Sequence, residues 1–231
     1  MRAEGVSGEA RLPNSLHRGL QVLDLISRHR TGITVQQLAQ ALDYSEADTH
    51  ELVHELCGFG MVALEKGRVR LGGHVVTLAA RFAPQLNHGV SEGVLSELAD
   101  FSGATCFVAV ADGDQCVVVN TAEPDDLVIR VGYRVGSRHS LNTGAAGIAI
   151  LAARAPSDDD SEDVRLARER GYAITRGHLE PGAVGMAVGF HSDQGPDMML
   201  ECSVGLVALD GLDEEPVIMR VRQAAARLAE V

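Results

Sequence analysis

The chain has 231 residues, enough for one large or two small domains, and its 45% hydrophobic content can build a core rather than leave the chain disordered. A formal charge of −12, from 32 acidic against 20 basic side chains, argues against a protein whose main business is coating nucleic acid or an anionic membrane. Aromatic residues amount to 3%, with no Trp, which disfavours stacking platforms for single-stranded nucleic acid.

Cys57, Cys106, Cys116 and Cys202 form no C-x-x-C pair. No apolar stretch led by basic residues opens the chain, and no apolar run nears the roughly 18 residues that span a bilayer. The expectation is a soluble cytoplasmic protein with reduced thiols and no membrane partner. Charge is uneven: residues 1–72 carry eight Lys/Arg and nine Asp/Glu, whereas residues 73–231 carry twelve against 23. A near-neutral head on an acidic body indicates two modules with different tasks.

Residues 1–13 have no periodic pattern and are expected to be a flexible tail. From Ser15 the pattern is helical, with Leu16, Leu20, Leu23 and Ile26 as the expected apolar face, ending near Thr31 and Gly32. A second helix follows Thr34, a candidate N-cap, with Val35, Leu38, Ala39 and Leu42 inward. A tight connection, Asp43-Tyr44-Ser45, leads to a third helix through Cys57 with Leu52, Val53 and Leu56 inward. Ser45 and Asp48 have capping-box spacing. Two β-type runs, 61–65 and 68–71, flank Lys66-Gly67, a hairpin signal. Three helices, a tight turn before the last and a closing hairpin describe a winged helix-turn-helix over 14–73. A plain three-helix domain with a hairpin fits the same pattern.

A helical linker is expected over 74–86, and residues 87–231 form a second domain. Its expected elements are a helix over 90–101, strands 105–111 and 115–121 around Asp112-Gly113-Asp114, and a strand over 127–131. A helix over 143–153, an acidic loop at 158–160 and a helix over 163–170 follow. Strands near 172–175, 183–190 and 198–209 precede a closing helix over 215–229. This mixed order implies an α+β domain on an antiparallel sheet.

Several segments carry a resemblance: "GRVRLGG" at 67–73, "VGYRVGSRHSLNTGAAGIAILA" at 131–152, "RERGYAITRGHLEPGAVGMAV" at 168–188 and "SVGLVAL" at 203–209. In this order they resemble the IclR family of bacterial transcriptional regulators, over essentially the whole chain from Ser15. The resemblance implies a winged helix-turn-helix joined by a helical linker to a GAF-like effector-binding domain. It also implies assembly as a dimer or a dimer of dimers, and ligand-controlled repression or activation through operator DNA. Three positions depart from the family pattern: Ile148 stands where a Lys is usual, Ser140 where a Pro is, and His178 where an acidic residue is common. The interval 154–169 is also shorter than in the family.

In a helix-turn-helix the N-terminal half of the last helix reads base edges, while cationic side chains meet phosphates. Here residues 45–55 contain no Arg or Lys but carry Glu46, Asp48, Glu51 and Glu55. The candidate DNA-contacting set is Ser45, Thr49, His50 and His54 on the helix, with Lys66, Arg68 and Arg70 on the wing. Further positive charge is available from Arg18, Arg28, Arg2 and Arg11. The alternative is a small-molecule sensor or interaction protein of the same fold that has lost specific DNA binding because this helix is acidic.

By the same resemblance, Thr143, Gly144, Ala145 and Ala146 form the effector pocket's turn into a helix, with His178, Gly189, Ser203 and Gly205 facing it. Free N–H groups at a helix start bind carboxylates well, and the resemblance implies a small organic acid or an aromatic metabolite as effector. The same small residues also serve close helix–sheet packing. No catalytic motif and no metal-ligand spacing of His with Cys is present, so neither enzymatic activity nor a cofactor is expected.

Overall fold

The structure, a computed structural model, describes residues 15–82, 88–125, 133–193, 199–209 and 212–230. The expected tail with Arg2 and Arg11, residues 83–86 of the expected linker and the strand expected at 127–131 lie outside the described residues. The chain divides into two compact units, Met1–Phe82 and Ala83–Val231.

In the first unit α1 (Ser15–Ser27), α2 (Val35–Leu42) and α3 (Glu46–Gly58) precede a hairpin of β1 (Val62–Glu65) and β2 (Arg68–Leu71), then α4 (His74–Phe82). Thr34 caps α2 in a full capping box: its hydroxyl accepts from the Gln37 amide while the Gln37 side chain accepts from the Thr34 amide. Asp43 then takes the left-handed conformation, φ 56°, that turns the chain toward α3. Ser45 caps α3 by accepting from the Asp48 amide, but the Asp48 carboxylate turns away to Arg18, so the box expected there is only half formed.

The buried face of α1 differs from expectation. Leu16 and Leu20 are 67% and 54% exposed, and the buried positions are Gly19, Val22 and Ile26. Two apolar stripes overlap on this helix, and packing selects the one with the glycine. With no side chain at Gly19 the α1 backbone lies close to Leu52 of α3, whose Cδ2 would be 4.0 Å from a Cβ there. In the wing, Lys66 (φ 50°) and Gly67 (φ 74°) make the two-residue left-handed turn that matches strand twist. Ile33 exchanges backbone hydrogen bonds of 3.0 and 2.8 Å with Val69, tying the wing to the start of α2.

The second unit contains α5 (His88–Ser102), β3 (Thr105–Asp112), β4 (Gln115–Ala122), β5 (Arg138–Ser140), α6 (Gly144–Ala153) and α7 (Glu162–Arg170). It continues through β6 (Ala173–Arg176), β7 (Ala183–Asp193) and β8 (Met199–Leu209) to α8 (Glu214–Ala229). Among the described residues its six strands form one antiparallel sheet in the order β5-β4-β3-β8-β7-β6. The unit is therefore α+β, as the element order implied. On β3 and β8 the even positions, Cys106, Val108, Val110, Cys202, Val204 and Leu206, share a core with α5 and α8. The odd positions Phe107 and Ala109 face α6 and α7 with Ala187 of β7. Three-residue β5 had no periodic signal and was not expected; it is held by its register with Gln115 to Val117. The interval before β6 holds a nine-residue helix, α7, capped by Ser161 and stopped by left-handed Gly171.

Thr34→Ala removes the α2 cap and is expected to lower unfolding free energy by about 1 kcal/mol in denaturant titrations, with Thr34→Ser close to wild type.

Candidate functional site

On α3 the buried residues are Thr49, Leu52 and Val53, which leaves Ala47, His50, Glu51 and His54 on the outward side. Thr49, expected at the DNA surface, is fully buried, and its hydroxyl donates to the Ser45 carbonyl at 2.9 Å. It falls in register with Leu52 and Val53, so it serves the core. Ser45, His50, His54 and Lys66 are exposed as expected.

The expected positive charges are largely engaged. Arg18 donates to Asp48 at 2.9 Å and lies 4.1 Å over the Tyr44 ring. This hydrogen bond from Arg18, helped by Ser45, holds the Asp48 carboxyl below its ordinary value. Arg28 pairs with Asp24 at 2.6 Å, Arg70 with Glu65 at 2.5 Å, and Arg68 donates to the Gly32 carbonyl at 2.9 Å. Lys66 at the wing tip makes no ion pair among the described residues, and neither do Glu46, Glu51 and Glu55 on α3.

The second unit holds a partly open cavity of about 30 Å³. Its floor is Gly185 of β7, with Thr175 of β6 and Ala145 and Ala146 of α6 beside it; Phe107, Val207 and Ala183 are apolar walls. A Cβ on Gly185 would lie 3.3 Å from Thr175 Oγ1 and 3.9 Å from the Ala145 nitrogen, so both converge on the space above that glycine. The Thr175 side chain is buried, and its hydroxyl has no hydrogen-bond partner among the described residues. Thr143 precedes α6 without a side-chain cap, leaving first-turn amides of the helix unclaimed. Leu179 and His178 line the mouth, and Leu179 Cδ1 would be 2.9 Å from a Cβ on Gly144.

Of the expected effector residues, Ala145, Ala146 and His178 line this cavity, and Thr143 and Gly144 adjoin it at the start of α6. Gly189, Ser203 and Gly205 do not line it. A Cβ on Gly189 would be 2.1 Å from the Ala149 carbonyl and one on Gly205 2.1 Å from the Met186 carbonyl, so both glycines permit close packing. Ser203 is fully buried, its hydroxyl without a partner among the described residues. Sequence reasoning missed Phe107, Tyr133, Thr175 and Gly185. Tyr133 lies inside the quoted segment 131–152 but outside any element periodicity could assign.

The Tyr133 ring meets Phe107 edge-on at 4.8 Å and stacks on His139 at 5.9 Å, and its hydroxyl is 2.8 Å from His139 Nε2. Burial, followed by the neighbouring Cys116, pushes the Tyr133 hydroxyl above its ordinary value, so it stays protonated. Burial likewise pushes the thiols of Cys106, Cys116 and Cys202 up to about 12. All four cysteines are free. Among the described residues no group of three or more His, Cys, Asp or Glu is arranged to hold a metal, and no helix is long and apolar enough to cross a membrane.

A winged helix-turn-helix unit followed by an α+β unit with a pocket at a helix start defines the class of two-module, ligand-binding transcription factors. The IclR helix-turn-helix domain model matches residues 15–65, and that of the bacterial transcriptional regulator IclR C-terminal domain matches residues 88–162. Together they span more than half of the chain, which belongs to the IclR family of transcriptional regulators. It is 27% identical over 195 residues to the HTH-type transcriptional regulator BhcR of Paracoccus denitrificans, covering 73% of this chain and 68% of BhcR. It is 26% identical over 143 residues to the transcriptional repressor IclR of Escherichia coli, covering 60% of this chain and 52% of that repressor. The chain thus spans about half to two thirds of the relatives it matches. Its fold is similar to that of an IclR homolog complexed with 4-hydroxybenzoate from Microbacterium hydrocarbonoxydans, with a TM-score of 0.79 at 19% identity, over 94% of this chain and 98% of that one. An IclR-type regulator from Alicyclobacillus acidocaldarius gives 0.76 at 20% identity, over 94% and 97%.

Gly189→Ala forces α6 away from β7 and is expected to destabilise the second unit by about 1–3 kcal/mol in denaturant titrations. Asp48→Asn is expected to lower Tm at neutral pH. In the wild type this contribution is present above the ordinary aspartate value of 3.8 and lost as pH falls through the depressed one, so the variant's Tm converges on wild type in acid.

Proposed function

We propose that this protein is a ligand-responsive transcriptional regulator that binds operator DNA as a dimer or dimer of dimers in the cytoplasm. The first unit docks α3 in the major groove with the wing beside it, and the second answers a small-molecule effector. The observation that carries this reading is α3 itself. It is capped by Ser45, packed by one face, and turns Ala47, His50, Glu51 and His54 outward at the position from which such helices read DNA. A carboxylate such as Glu51 can accept from the cytosine amino group, and His50, His54 and Ser45 can donate. Two copies double the phosphate contacts of Lys66 and the wing arginines. Regulators and repressors among the relatives, and a similar structure holding 4-hydroxybenzoate, support the same reading and a small carboxylic acid as effector.

A second reading, a sensor of this fold that no longer binds specific DNA, is favoured by one observation: Arg18, Arg68 and Arg70 are each tied to partners within the first unit.

Gel shifts with the promoter region beside its own gene, across a salt series, separate the two. The regulator gives a sequence-specific shift at low salt that weakens steeply as salt rises. No specific shift from a folded oligomer leaves the second reading. Glu51→Gln is expected to raise affinity for random duplex about fivefold at low salt, the gain from relieving about 1 kcal/mol of repulsion.

A further inference from the structure

The pocket's polar groups differ in what they can offer an anion. The uncapped amides of α6 and the Thr175 hydroxyl can donate as they stand. The Tyr133 hydroxyl cannot, because it is already committed. His139 Nδ1 lies 3.0 Å from the Ser140 carbonyl, which only accepts, so Nδ1 carries the ring proton of neutral His139. Nε2 is then an acceptor, and at 2.8 Å it accepts a hydrogen bond from the Tyr133 hydroxyl. In that state Tyr133 presents only oxygen lone pairs to the cavity it lines, which opposes a carboxylate.

One proton reverses this. When His139 gains a proton from solvent at Nε2, both ring nitrogens donate, Nε2–H donates to the Tyr133 oxygen, and the Tyr133 O–H is released toward the cavity. We propose that Tyr133 is the residue that reads the ligand's carboxylate and that His139 stores the required proton. The pocket then takes a small carboxylic acid as its anion together with one proton. This rests on the effector-pocket reading above and adds to it how the ligand is discriminated: a neutral isostere gains nothing from the proton, whereas an anion is its charge partner.

The surroundings of His139 leave this exchange to few groups. Across the β4–β5 register it faces Cys116, whose thiol is buried and protonated, and from the preceding segment it faces Tyr133. Its β5 neighbour Arg138 points to the other face and is paired with Asp112. From α6 it meets Gly144, which has no side chain; a Cβ there would be 3.6 Å from His139 Cε1. The loop at the mouth contributes His178. None of these neighbours is a carboxylate, which leaves a bound anion as a countercharge for the protonated ring.

Isothermal titration of the full-length protein with acetate, butyrate, benzoate and 4-hydroxybenzoate, between about pH 6 and pH 8 and in buffers of different ionisation heat, counts the protons directly. The wild type is expected to take up close to one proton per acid bound, with Kd weakening as pH rises. His139→Gln, whose amide can donate to Tyr133 at any pH, should still bind but lose the slope. Tyr133→Phe should lose the slope and bind about tenfold or more weakly, the worth of one hydrogen bond to a charged group. His178→Gln should keep the slope; a slope that vanishes there, or persists in His139→Gln, overturns the assignment. Acids that bind the wild type without proton uptake overturn the relay while leaving the pocket standing. Failure of all four acids to bind overturns both.

Discussion

Where α6 crosses β7, the two backbones approach so closely that a Cβ on Gly189 would sit 2.1 Å from the Ala149 carbonyl and 3.0 Å from Ala153 Cβ. One turn toward the start of the helix, Gly185 leaves just enough more room, with Ala145 Cβ 3.3 Å away. The helix therefore lies on the sheet along Ala145, Ala149 and Ala153, tight at its C-terminal end and slightly open at its N-terminal end. That difference places the pocket. Beyond its last turn α6 is held by Arg168, which donates to the Leu151 and Ala152 carbonyls, and by the paired hydrogen bonds of Arg154 with Glu201. A helix fixed at one end presents its uncapped amides at the other in a set position, the preorganisation that ligand recognition needs.

The first unit solves a different problem with a similar economy of contacts. Its last helix must present an outward face without drifting on a small core. The Ser45 cap fixes where α3 starts, and Arg18 joins α1 to that start through Asp48 and the Tyr44 ring. The same carboxylate that stabilises the helix start thus also neutralises an arginine. Local stability and nucleic-acid affinity compete for one side chain, and the structure resolves the competition in favour of the fold. On the proposed DNA-binding reading, what α3 offers is polar and geometric rather than strongly cationic.

Much of this was legible beforehand because it depends on neighbours in sequence. The Thr34 cap, the Lys66-Gly67 turn and the β3–β4 hairpin all follow from short-range pattern, and each is present. The misreadings share a cause. Leu16 and Leu20 were expected inside because they are large and apolar, yet Gly19 won the contact because it is small. Thr49 was expected outside because it is polar, yet its hydroxyl is satisfied one turn back at the Ser45 carbonyl, which lets it enter the core. Gly189 and Gly205 were assigned to a ligand, yet the space a side chain would fill is occupied by backbone.

The amino-acid sequence by itself determined the order and type of most elements and the two-module division of charge, because periodicity, caps and turn residues act over a few positions, and its quoted segments carried the family resemblance. Tertiary structure decided which residues meet. Phe107, Tyr133, Thr175 and Gly185 come from four separate stretches of chain and share no local pattern, so only strand pairing and the seating of α6 on β7 could bring them around one cavity. The pairing of Tyr133 with His139 depends on the side chains' rotamers against a three-residue strand, and the place of Thr175 opposite Gly185 on the β6–β7 register. Those are properties of packing, and no window of sequence contains them.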